Sequence, residues 1–137
     1  MRPTKLSIIV LTVALALSAS AWAGGIPLVD ATGAAHGTVK VTLARGSVAF
    51  KITGLARLPA AVNTFTATEY KAYLLSSTDG AREIFLTDVY PDSRQRVTRK
   101  VVLGGDVSQM GFDRVMVTAF SEDGQNSFDV LTGTLTP

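Results

Sequence analysis

The chain has 137 residues, no cysteine, a single histidine, and 13 basic against 11 acidic side chains for a net charge of +2. Without cysteine, thiol catalysis, disulfide staples, c-type haem attachment and cysteine zinc sites are excluded, and one histidine cannot build a two- or three-histidine metal centre. So small an excess of positive charge is no footprint for nucleic acid.

At the start, Arg2 and Lys5 precede an apolar run from Leu6 to Ala19 that only Ser7, Thr12 and Ser18 interrupt. Ala21-Trp22-Ala23 then puts small residues at the two positions a signal peptidase reads, ahead of Gly24-Gly25. This layout predicts a secretory signal peptide over residues 1–23 and a single domain over residues 24–137. The domain is expected outside the cytoplasm, periplasmic or secreted, with no stable membrane span once the signal is cleaved near Ala23. Arg2 and Lys5 leave with the signal, so eleven basic residues face eleven acidic ones and nucleic acid is not expected as a partner. The alternative is retention. Residues 6–23 make a stretch of 18, close to the roughly 20 that a spanning helix needs, and would hold the domain at the membrane as a signalling subunit.

Beyond the signal, apolar segments recur between turn signals. Thr38 to Leu43 and Ser47 to Thr53 alternate with period two: Val39, Val41 and Leu43 share one face of the first, Val48, Phe50 and Ile52 one face of the second. That period is the mark of half-buried strands, and Ala44-Arg45-Gly46 between them reads as a hairpin loop. Leu55 to Thr64 holds Pro59 and no steady period, so it reads as a connection crossing between sheets. Glu69 to Ser76 and Glu83 to Val89 are strands joined by the turn signal Thr78-Asp79-Gly80. On the first of them Tyr70 and Tyr73 fall on opposite faces, so at least one should be buried. Arg96 to Leu103 is a further candidate strand. Phe112 to Phe120 is dense in β-branched and aromatic residues, and Phe128 to Leu135 follows, with Gly133 expected to mark a bulge. No segment after the signal shows a sustained helical period. The pattern predicts an all-β, antiparallel, Ig-like or Greek-key β-sandwich of about seven strands, a barrel being the other option. Phe50, Ile52, Phe112, Val115 and Val117 are its expected core.

No catalytic set assembles along this sequence, and no cofactor or metal site is expected. His36 reads as a loop residue. No serine sits in a Gly-x-Ser-x-Gly frame. Glu69 and Glu83 lie on strands that could be neighbours, which leaves a small hydrolase with a carboxylate pair as an alternative. The loop from Asp123 to Asp129 alternates oxygen ligands but has its glycine misplaced for calcium. The one charge cluster is Arg94, Arg96, Arg99 and Lys100. If this segment is a strand throughout, Arg94, Arg96 and Lys100 share one face and Arg99 takes the other. Such a face suits an acidic partner or a lipid headgroup, or it guards an edge strand against pairing. Arg94, Arg96 and Lys100 are the candidate contact surface.

Three stretches carry a family resemblance: Thr53-Gly54-Leu55-Ala56-Arg57-Leu58-Pro59; Tyr70-Lys71-Ala72-Tyr73-Leu74 with Phe85-Leu86 after a turn; and Phe112 to Phe120 followed by Glu122-Asp123-Gly124 and a strand ending in Leu131-Thr132-Gly133. This order resembles the extracytoplasmic domain of anti-sigma-K-type factors and its free-standing secreted relatives, over about Thr38 to Leu135. Tyr73 stands where that family has Trp, and Ala119-Phe120 where it has Glu-Pro. The resemblance implies a β-sandwich that senses or contacts a ligand outside the cytoplasm. With a signal peptide at Met1, the cytoplasmic sigma-binding domain is expected to be lacking. The expectation is therefore a non-enzymatic binding or sensory module whose partner is an envelope protein or cell-surface component.

Overall fold

The computed structural model describes residues 25–76 and 83–135. The expected signal, its retention as an anchor, and the Thr78-Asp79-Gly80 turn lie outside these residues. Ten strands follow in chain order: β1 (Ile26–Val29), β2 (Ala35–Thr42), β3 (Ser47–Ile52), β4 (Ala60–Val62), β5 (Phe65–Ala67), β6 (Glu69–Leu75), β7 (Glu83–Val89), β8 (Val97–Val102), β9 (Arg114–Phe120) and β10 (Ser127–Thr134). A single 3₁₀ turn, Ser108–Met110, precedes β9. Among the described residues there is no α-helix, and none long and apolar enough to cross a membrane.

Eight strands form one antiparallel sheet in the order β7-β6-β9-β10-β1-β2-β3-β8, and β4 and β5 make a separate hairpin. The sheet curls until its edge strands, β7 and β8, come near each other. Inward side chains from every strand of the large sheet then share one core. Leu28, Val39, Phe50, Ile52, Leu74, Val115 and Val117 are all fully buried in it. Period-two alternation is the cause: where every second residue is apolar, one face must turn inward. The five expected core residues all lie there. Tyr70 is buried too, while Tyr73 on the other face is half-buried. The Tyr70 hydroxyl donates to the Ala56 carbonyl at 2.7 Å, which fastens the loop before β4 to the core.

Three local readings change. The count of about seven strands becomes ten because β1 has four residues with Pro27 inside, and β4 and β5 have three each. Such lengths give no measurable period. The segment read as a plain connection therefore contains β4. The bulge expected at Gly133 lies instead between Asp129 and Leu131. Gly133 serves a different end: a β-carbon there would lie 3.1 Å from Leu28 Cδ2, so the bare backbone lets β10 approach β1.

Four loops are built on one device. Asp30 accepts from the backbone N–H groups of Thr32 and Ala34, Asp92 from those of Arg94 and Arg96, Asp106 from that of Ser108, and Asp123 from that of Gln125. A short carboxylate that hydrogen-bonds its own backbone two residues on is the reason Asp recurs at turn starts.

Candidate functional site

Antiparallel partners share a face, so the register of β2, β3 and β8 fixes what their outer side presents. Lys40 pairs with Ala49, and Ala49 pairs with Lys100. In the next row Thr38 pairs with Lys51, and Lys51 pairs with Thr98. Three lysines thus surround one methyl side chain, with a threonine at each end of the second row. Together with Phe50 and Arg99, these six residues line a shallow depression of about 330 Å³. A second depression, of about 420 Å³, continues the face from Lys51 and Thr98 to Arg96 and Asp92.

The strands of this face are basic. Strands β2, β3 and β8 carry Lys40, Lys51, Arg99 and Lys100 and no acidic residue. Among the described residues no ion pair joins Lys40, Lys51 or Lys100 to a carboxylate, and the nearest acid on the lining is Asp92, beside Lys51 in the second depression. Lys40 and Lys100 sit two strand spacings apart, roughly 10 Å. At that distance two like charges in water repel by roughly 0.4 kcal/mol. The fold tolerates this easily, and an external anion would add an attraction to each lysine that outweighs it.

The candidate surface read from the sequence is only partly brought together. Lys100 and Arg96 both line the depressions. Arg94 lines neither and lies in the turn after β7. The segment is not a strand throughout: β8 begins at Val97. Asp92 draws the backbone of Arg94 and Arg96 into a turn, and Gln95 takes a left-handed φ of 61°. Arg99 falls in register with Phe50, on the inner side, but at the sheet edge and exposed. The edge-guarding reading has this much in its favour: β8 is an edge strand, and its exposed residues are mostly charged or polar. Lys40 and Lys51 were missed as members of the surface. Their strands were legible, but the pairing of β3 with β8 across about fifty residues was not.

The remaining candidates are placed as follows. His36 Nδ1 lies 3.1 Å from the Thr53 carbonyl and Nε2 lies 2.7 Å from Asp30 Oδ2. Both ring nitrogens face acceptors, and the ring satisfies both when each carries a proton. The Thr32 hydroxyl and then His36 hold the Asp30 carboxyl well below the usual carboxylate range. The pair ties the β1–β2 turn to the end of β3. Glu69 pairs with Phe120 at one end of β6, while Glu83 pairs with Leu75 at the other. Six residues of strand separate them, roughly 20 Å; glycosidase pairs sit about 5 to about 9.5 Å apart. In the Asp123 loop the carboxylate is taken by the Ser121 hydroxyl at 2.7 Å and Gln125 N–H at 3.0 Å, while Asp129 accepts from Thr118. No cluster of three or more metal-ligating side chains occurs among the described residues.

Comparison with family models, with curated proteins and with solved structures finds no match.

Proposed function

We propose that this chain is a non-enzymatic binding module of the cell envelope, exported by residues 1–23, that meets its partner through the outer face of β2, β3 and β8. The observation that carries the reading is the set of three unneutralised lysines around Ala49. Exposed cations with no counter-charge on their own three strands are a surface suited to an anionic partner. The layout of Arg2, Lys5, the apolar run and Ala21-Trp22-Ala23 supports an extracytoplasmic site of action. We read the sheet as an Ig-like, Greek-key sandwich whose layers are β1-β2-β3-β8 and β7-β6-β9-β10. The shared core between the halves supports this architecture. So does the resemblance to anti-sigma-K ectodomains, which also favours a sensory or ligand-contacting role.

N-terminal sequencing and fractionation of the native protein test the location. A start at Gly24 in a soluble extracytoplasmic fraction is expected. An intact Met1 in the membrane fraction would replace the free module by an anchored signalling subunit. Capture of an envelope component by the wild type, lost in a Lys40→Gln/Lys100→Gln variant, tests the face. Turnover of a glycan or cell-wall substrate that is lost in Glu69→Gln or Glu83→Gln would overturn the non-enzymatic reading.

A further inference from the structure

We propose that two copies of this chain associate through the open side of the sheet, β8 of each copy adding to β7 of the other. β7 and β8 are the edge strands of the eight-stranded sheet, and each is paired on one side only, β7 with β6 and β8 with β3. An edge strand presents a row of unpaired N–H and C=O groups, a template for a further strand. The curl of the sheet brings these two edges near each other without pairing them, so both open on the same side of the molecule. The large apolar side chains left exposed among the described residues gather at these edges: Phe85 on β7 at 49%, Tyr90 directly after β7 at 67%, and Val102 on β8 at 66%. Phe85 is in register with Tyr73, and Val102 stands two residues beyond Lys100, so both lie on the outer side of their strands.

Charge and symmetry fix the occupant. β7 carries Glu83 and Asp88 and no cation, while β8 carries Arg99 and Lys100 and no anion. Among the described residues no ion pair engages any of these four. Two β8 strands side by side would set like charges against each other, and so would two β7 strands, whereas β7 against β8 sets opposite charges together. The charges that guard β8 against its own kind thus select β7. Every pairing in the sheet is antiparallel and its strands number eight, so β7 and β8 run in opposite directions. A two-fold axis along the strands keeps these directions. It brings β8 of each copy against β7 of the other, antiparallel, in two equivalent contacts. The arrangement is isologous and closed, and it leaves neither edge free. It also sets the start of β7, with Glu83 and Phe85, beside the end of β8, where Phe85 and Val102 cover each other.

Analytical ultracentrifugation of the purified native protein, from micromolar to millimolar concentration, tests the contact. A reversible equilibrium between monomer and dimer is expected, weakened by salt that screens the strand charges. Val102→Asp places an acid beside the acidic start of β7, and Glu83→Lys places a cation beside the basic β8. Each should weaken dimerisation at least about tenfold. The double variant Val102→Asp/Glu83→Lys sets opposite charges across the contact again and should regain most of that loss. Both positions are exposed, so neither change enters the core. Circular dichroism checks each variant, and Glu83→Lys carries the test if Val102→Asp does not fold. A monomer at every concentration, larger open-ended species, or a dimer that the folded single variants leave unweakened overturns the proposal. A folded double variant that dimerises no better than the single variants overturns it too, because β7 and β8 are then not the strands in contact.

Discussion

The two halves of the sheet bury the same kind of core and present opposite exteriors. Strands β2, β3 and β8 carry four cations and no anion, set among threonine and alanine. Strands β6, β7, β9 and β10 carry Glu69, Glu83, Asp88 and Asp129 against Lys71 and Arg114. Their outer side is also aromatic: Tyr73 and Phe85 meet edge to face with centroids 5.8 Å apart. Lys71 Nζ lies 5.6 Å from the Phe85 ring centre and 6.0 Å from that of Phe120. Burial, followed by the charges of Glu83, Asp88 and Glu69, pushes the Tyr73 hydroxyl above its usual range. In this half some charges are answered from within, Lys71 by two rings and Asp129 by the Thr118 hydroxyl, although Arg114 Nε is buried without a hydrogen-bond partner. In the basic half they are not, and the acids nearby are consumed in turns. The lesson is that an unsatisfied surface can be recognised by contrast with a satisfied one in the same molecule.

The largest expected effect breaks the backbone of one half and spares the other. Gly37 has a φ of 106°, and a β-carbon there would sit 2.0 Å from the Lys51 carbonyl oxygen. Gly37→Ala should destabilise by roughly 3 kcal/mol or more in chemical denaturation. Gly133→Ala, whose nearest neighbour is the movable Leu28 Cδ2 at 3.1 Å, should cost less than about 1.5 kcal/mol. Equal losses would mean that the two halves do not differ in this way.

Tyr70→Phe comes next. It keeps the ring in the core and removes the 2.7 Å bond to the Ala56 carbonyl, for an expected loss of about 1–2 kcal/mol in the same measurement. A smaller effect should follow Phe85→Ala, because this ring is 49% exposed. The contact with Tyr73 is worth about 0.5–1.5 kcal/mol, and no loss at all would show that the aromatic exterior adds nothing to stability. Smallest is Lys100→Gln: with no partner to lose, its melting temperature should equal the wild type's or exceed it slightly at low salt, within about 0.5 kcal/mol.

Acid should act on both halves together. Hydrogen bonds hold Asp30, Asp92, Asp106 and Asp123 below the ordinary carboxylate value. The first partners are the Thr32 hydroxyl for Asp30, the Arg96 N–H for Asp92, and the Ser108 and Ser121 hydroxyls for Asp106 and Asp123. Their contribution is fully present above the unfolded value of about 3.9 and is lost as pH falls through the lower folded values. The melting temperature should therefore be level above about pH 5 and decline below about pH 4. A decline that begins near neutrality would point to another group.

Much of this molecule was legible along the chain, for a physical reason. Alternation writes the inward face of each strand locally, and so Phe50, Ile52, Val115 and Val117 could be placed in the core from their neighbours alone. Strands of three or four residues write too little to be read, as β1, β4 and β5 show. The candidate surface was half legible. Arg96 and Lys100 stand close in sequence, whereas Lys40 and Lys51 join them only through strand pairing between distant segments. Arg94 was misplaced because Asp92 turns the backbone where charge pattern alone suggested a continuous strand.

The pairing of β1 with β10, through Val29 and Thr132, has a kinetic consequence. The earliest and latest described strands are neighbours at the centre of the sheet, where the two halves join. Each half can form its own hairpins, β2 with β3 or β6 with β7, but the seam between them waits for the final strand. Closing that seam spans almost the whole chain, so the entropy of ordering is met before the contact that rewards it. Until β10 arrives, β1 and β9 are open edges able to pair with another copy. The interval between making the first strand and placing the last is therefore when this protein is most exposed to aggregation.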